Sequence, residues 1–119
     1  MAKPGKSGIK RIIDATGYSW KGLKAAWKYE AAFRQELILV LIGIPLAFYL
    51  SENKYELLWL ILPLFILVIA ELINSAIEAV VDRISDEHHE LSGRAKDIGS
   101  AIVFVSLVLL VVVWLIILI

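Results

Sequence analysis

The stretch Leu57-Leu58-Trp59-Leu60-Ile61-Leu62-Pro63-Leu64-Phe65-Ile66-Leu67-Val68-Ile69-Ala70 runs fourteen residues without a charge, then meets Glu71, Asn74, Ser75, Glu78 and Asp82. On a helix these five polar residues fall at about 0°, 300°, 40°, 340° and 20°, one ridge along an otherwise apolar rod. At 1.5 Å rise per residue, Glu78 sits about 6 Å and Glu71 about 16 Å along the axis from Asp82. With Asp82 at a membrane surface, Glu78 lies near the headgroups and Glu71 deeper. A charge at the bilayer centre costs about 2.5 to 3.5 kcal/mol, so such residues face a protein interior or a polar cavity. A single protonated carboxyl serving as interhelical glue needs one polar group; this segment supplies five.

Working outward, two more apolar segments appear, about residues 31–50 and 98–119, beside 57–81 for the first. The composition agrees. The chain has 119 residues, 60% hydrophobic, against roughly 45–50% for a soluble domain, and its mean hydropathy is +0.79. The solvent is therefore a bilayer, and the expected fold class is an all-α membrane protein with three transmembrane helices. The absence of cysteine excludes a disulfide scaffold, a thiolate zinc site and a cysteine nucleophile. Residues 1–8 lack an apolar signal region and are expected to form a flexible tail.

Lys and Arg equal Asp and Glu at twelve each, but they are segregated. Residues 1–36 carry Lys3, Lys6, Lys10, Arg11, Lys21, Lys24, Lys28 and Arg34 against Asp14, Glu30 and Glu36. The turn Ser51 to Glu56 has one Lys, and residues 82–97 hold Arg83, Arg94 and Lys96. The positive-inside rule then places the N-terminus and the loop around Arg83 to Lys96 in the cytoplasm, with the C-terminus outside. Nothing aromatic-interleaved or groove-sized in the basic segment supports a nucleic-acid partner.

Before the first span, Ile9, Ile12, Ile13, Thr16, Trp20, Leu23 and Trp27 share an arc of about 100° on a helix. Lysines flank that stripe, the pattern of an amphipathic helix lying in the headgroup plane with tryptophan anchors. Glu30-Ala31-Ala32-Phe33-Arg34-Gln35-Glu36 opens the first span. Glu30 and Arg34 are spaced for an i, i+4 ion pair. Packing of spans one and two also brings Glu30 and Glu78, both near cytoplasmic ends, toward one another. Two carboxylates there repel unless a cation or proton joins them, and Mg²⁺, held by one or two carboxylates and substrate phosphates, is the expected guest. The third span is entered through Glu87 to Ser100, with Ser92 as the expected N-cap. Adjacent His88 and His89 cannot share a helix face and read as a solvated loop. Gly99, Ser100 and Ala101 permit close helix approach.

The run Glu71-Leu72-Ile73-Asn74-Ser75-Ala76-Ile77-Glu78-Ala79-Val80-Val81-Asp82 resembles the signature of the prokaryotic integral-membrane diacylglycerol kinases. Glu30 to Glu36, Gly17-Tyr18-Ser19-Trp20-Lys21-Gly22-Leu23 and His89-Glu90-Leu91-Ser92-Gly93-Arg94-Ala95-Lys96-Asp97 extend the likeness over most of residues 9–100. The resemblance implies a homotrimeric helical bundle in the bacterial inner membrane, with a surface helix at 9–29 and a three-span catalytic domain at 30–119. It implies transfer of the ATP γ-phosphoryl to diacylglycerol, giving phosphatidic acid, without a Walker A loop or protein-kinase motifs.

Carried over by position, Glu71 corresponds to the general base and Asn74 to a group orienting the reactants. Glu30 and Glu78 correspond to Mg²⁺ ligands. Arg11, Tyr18, Glu30, Glu78, Glu87, His89, Lys96 and Asp97 correspond to ATP-contacting positions, and Glu71, Ser100, Arg34, Gln35 and Trp20 to the lipid path. His88 departs from the aromatic residue of the family pattern. One chain cannot easily surround the ridge, so sites shared between subunits are expected. The nearest rival is an undecaprenol kinase with the same catalytic ridge; Ser92-Gly93-Arg94 favours the diacylglycerol branch. A proton or ion carrier would need a polar path through the outer half of span two, which is apolar from Leu57 to Ala70. A purely structural membrane subunit would not need aligned carboxylates.

Overall fold

A computed structural model of the chain describes residues 7–119, in which four helices follow one another: α1 (Ile9–Tyr29), α2 (Ala31–Leu50), α3 (Lys54–Ile84) and α4 (Glu90–Leu118). Most of the expected N-terminal tail, residues 1–6, lies outside the described residues. Gly8 precedes α1 at φ 61°, the left-handed region that glycine enters without steric penalty.

A single residue separates α1 from α2. Glu30, at φ −115° and ψ 105°, is extended and turns the chain while its N–H still donates to the Ala26 carbonyl at 2.9 Å. This break overturns the expected Glu30–Arg34 ion pair, because i, i+4 side chains meet only when one helix carries both. The Arg34 guanidinium instead donates to the carbonyls of Trp27 at 2.7 Å and Lys28 at 3.2 Å. It thereby satisfies acceptors that the end of α1 leaves without helical partners.

α3 begins before the expected apolar stretch because Asn53 caps it, its side-chain oxygen accepting from the N–H groups of Tyr55 and Glu56 at 3.0 Å each. Its 31 residues extend about 47 Å, beyond a hydrocarbon core of about 30 Å, so its polar end need not lie in hydrocarbon. α4 is likewise longer than its apolar part. His89, not Ser92, is its N-cap: Nδ1 accepts from the Leu91 N–H at 3.1 Å. The helix therefore starts before Ser92, which lies within its first turn.

α3 is the central element, packed against α2 on one side and α4 on the other. Val40 of α2, Leu64 and Leu67 of α3 and Leu110 of α4 form the core, with Ile44, Val68, Val103, Leu107 and Trp114 against it. The α2–α3 contact is close at Gly43, where an added Cβ would lie 3.0 Å from Leu64 Cδ1. On the other side, the Trp114 indole N–H donates to the Leu60 carbonyl at 3.0 Å. Pro63, three residues on and fully buried, lacks the N–H that would reach the Trp59 carbonyl, and the Trp114 indole is an interhelical donor in the same turn. α2, α3 and α4 are each long and apolar enough to cross a membrane, and a multi-pass membrane protein fits them.

Candidate active site

The ridge of α3 grades from sealed to open. Glu71 is only 3% exposed; Asn74, Ser75 and Glu78 are half-buried, and Asp82 is exposed. Helical spacing aligns Asn74 with Glu78, and the Asn74 amide nitrogen donates to Glu78 Oε1 at 3.3 Å. The amide thus holds Glu78, with Glu71 one turn earlier on the same ridge.

Glu71 has a further neighbour. Glu36, one turn into α2, acts on it electrostatically. One oxygen of each carboxyl, Oε2 in both, is buried without a hydrogen-bond partner. Sequence reasoning assigned Glu36 no role. The signal was present in the spacing of Phe33, Glu36, Val40, Gly43 and Ala47, steps of three and four that put Glu36 on the stripe α2 turns toward α3.

Glu30, at the α1–α2 break, is half-buried. Both Glu30 and Glu78 lie close enough to act electrostatically on Glu71. Glu30 borders a cavity of about 620 Å³ between α1 and α3, lined by Ser19, Gly22, Ala26, Leu72, Ser75 and Ala79 among others. Among the described residues, no group of three or more His, Cys, Asp or Glu side chains converges on one point.

A second cluster lies where the α3–α4 loop meets α4. Glu87, His89 and Lys96 line a polar cleft of about 540 Å³ with Asp82, Ser85, Asp86, His88 and Ser92. Lys96 Nζ makes a 2.6 Å ion pair with Asp82 Oδ1, joining the cleft to the end of the ridge. Sequence reasoning placed Asp82 on the ridge but did not pair it with Lys96. Asp97 and Ser100 are exposed on α4.

The remaining expected residues stand apart from these clusters in the single chain. Arg11 and Tyr18 are exposed on α1, with Lys21 Nζ 5.6 Å from the Tyr18 ring centre. Trp20 lines an apolar cavity of about 550 Å³ with Leu23, Trp27, Phe33, Leu37 and Val68, rimmed by Lys24 and Lys28. Arg34 is engaged at the end of α1, and Gln35 is exposed.

In chemical terms, a sealed carboxyl, an amide and two further acids lie on the path from an apolar interior to a polar cleft holding a lysine. The family model of prokaryotic diacylglycerol kinase matches residues 17–118. A diacylglycerol kinase of Escherichia coli (strain K12) is 53% identical over 112 residues, 94% of this chain and 92% of the relative. Those of Haemophilus influenzae and Helicobacter pylori (strain ATCC 700392 / 26695) are 51% identical over 108 residues, covering 91% and 92% of the two chains, and 46% over 111, covering 93% and 87%. With that match over nearly its whole length and the sealed acid ridge at its centre, the chain belongs to the prokaryotic diacylglycerol kinase family.

Proposed function

We propose that the chain is an ATP-dependent lipid kinase that phosphorylates diacylglycerol, with Glu71 as the general base. One observation carries this reading: a carboxyl only 3% exposed, with a buried oxygen unclaimed by any protein donor, on a helix otherwise apolar from Leu57 to Ala70. Such a group suits a proton that arrives on a membrane-embedded hydroxyl. As the lipid oxygen forms its bond to the γ-phosphorus, the bond from that phosphorus to the β-phosphate bridging oxygen breaks. The hydroxyl proton passes to Glu71, and the products are phosphatidic acid and ADP.

Asn74 orients the acids, as its hydrogen bond to Glu78 supports. Glu30 and Glu78 suit Mg²⁺: they supply hard oxygen donors, half-buried, and two carboxylates with substrate phosphates are its usual protein complement. When bound, Mg²⁺ supplies charge neutralisation at the phosphates. The loop cleft with Glu87, His89 and Lys96 is the proposed nucleotide site, extended by Arg11, Tyr18 and Asp97. Trp20, Ser100, Arg34 and Gln35 are the proposed lipid path.

Assembly and placement follow the same logic. Only 22%, 33% and 11% of the most apolar windows of α2, α3 and α4 are buried in one chain, so much of each remains for lipid or for other copies. We take the unit to be a homotrimer with sites shared between subunits. α1 lies along the cytoplasmic face of the inner membrane, presenting exposed Ile9, Ile12, Ile13 and Trp20 to the headgroup boundary. The N-terminus is cytoplasmic and the C-terminus external.

The test is turnover by the purified protein with Mg²⁺ and γ-labelled ATP, offered short-chain diacylglycerol or undecaprenol. Labelled phosphatidic acid as the dominant product is expected. Equal or faster labelling of the polyprenol, or of neither alcohol, overturns the assignment.

A further inference from the structure

Asn74 reaches Glu78 through its amide nitrogen, but its oxygen is the more informative atom. That Oδ1 is buried and has no hydrogen-bond partner. It points at Gly99 of α4, which is itself buried. A Cβ at Gly99 would overlap Asn74 Oδ1, would lie 3.4 Å from Asn74 Cγ, and would touch Ile77 Cδ1 at 3.6 Å. The missing side chain of Gly99 is therefore the space that the amide oxygen occupies.

We propose that Gly99 is a positioning residue for the metal-binding carboxylate Glu78, acting through the Asn74 amide that it seats. The inference rests on the proposed Mg²⁺ role of Glu78. An amide has two faces, and only one orientation is useful here. With its oxygen against Gly99, its nitrogen is presented to Glu78; the reverse orientation turns an oxygen toward a carboxylate, which repels it. A methyl group at 99 removes the pocket and turns the amide away from its bond to Glu78.

The physical signature separates this role from ordinary helix packing. The atom a Cβ would strike is the end of a short side chain that can rotate, so the substitution displaces Asn74 before it displaces α4. Alanine also favours helix over glycine. Gly99→Ala should therefore leave thermal stability near that of the parent while weakening the metal site. A glycine needed only for helix contact would show the opposite, lost stability with metal binding unchanged.

The experiment measures Mn²⁺ binding by electron paramagnetic resonance, alongside thermal unfolding, in the assembled full-length protein in lipid. Gly99→Ala, Asn74→Ala, their double variant and Glu78→Ala are compared. Removing a group that orients a metal ligand typically costs about 10–100-fold in affinity, and a loss of about tenfold is expected for Gly99→Ala. In the Asn74→Ala background, adding Gly99→Ala should cost nothing further, because the atom it displaces is gone. Should Gly99→Ala alone fail to assemble, a double variant that assembles like Asn74→Ala supports the same contact, and one that also fails overturns it. Parent-like Mn²⁺ binding by an assembled Gly99→Ala, or an equal loss in the presence and absence of Asn74, overturns the proposal. Parent-like binding by Glu78→Ala instead removes the metal role on which it rests.

Discussion

Replacing Trp114 with phenylalanine removes one hydrogen bond and little else. The indole N–H donates to the Leu60 carbonyl at 3.0 Å, and Leu60 is fully buried, as is Pro63 in the same turn. After the change, the Leu60 carbonyl keeps only the Leu64 N–H that helical spacing gives it. Hydrogen bonds between membrane helices measure about 0.6 to 2 kcal/mol. The expected loss for Trp114→Phe is therefore about 0.6–2 kcal/mol. Trp114→Ala also empties the volume beside Val40, Leu64, Leu67 and Leu110, and should cost about 3–5 kcal/mol. Reversible unfolding in mixed detergent micelles, followed by tryptophan fluorescence and by helical circular dichroism, separates the two. Equal stability of parent and Trp114→Phe refutes the hydrogen bond as a stabilising contact. Equal losses for Phe and Ala show that the indole N–H, not volume, is what counts.

Three other outcomes follow from particular contacts. Gly43→Ala places a methyl 3.0 Å from Leu64 Cδ1, an overpacking of about 1–3 kcal/mol less about 1 kcal/mol of helix propensity; unfolding should show a small net loss that Gly43→Val enlarges. Asp82→Asn frees Lys96 from its 2.6 Å partner. Because both side chains are largely exposed, stability should hold while KM for MgATP shifts a few-fold, and an unchanged KM detaches Lys96 from the nucleotide. Arg34→Gln removes the donor to the Trp27 and Lys28 carbonyls, so amide exchange in the last turn of α1 should accelerate without change in α3 or α4.

The helices were legible because each carries its own signal. Apolar length marks α2, α3 and α4, a one-sided stripe marks α1, and the ridge from Glu71 to Asp82 depends only on 3.6-residue spacing. Helix ends were less legible. A search for apolar spans stops at the first charge, whereas the backbone of α4 continues through Glu90, Arg94, Lys96 and Asp97 because His89 caps it. Glu30 misled for a related reason: i, i+4 spacing presumes an unbroken helix, and the break falls on Glu30 itself. Contacts between helices were the least accessible. That Glu36 acts on Glu71, that Asp82 meets Lys96 and that Asn74 meets Gly99 all depend on helix register and rotation, which no single helix encodes.

The reading of the site stands on the sealed acid of α3, and turnover of Glu71→Gln tests it most directly. Glutamine keeps the shape and polarity of the residue while removing its capacity to accept a proton, and loss of a general base typically lowers rate by about 10²–10⁴-fold. Measured with Mg²⁺-ATP and short-chain diacylglycerol, Glu71→Gln should form phosphatidic acid at least about a hundredfold more slowly than the parent, with ATP binding preserved. Phosphatidic acid formation at the parent rate would contradict it.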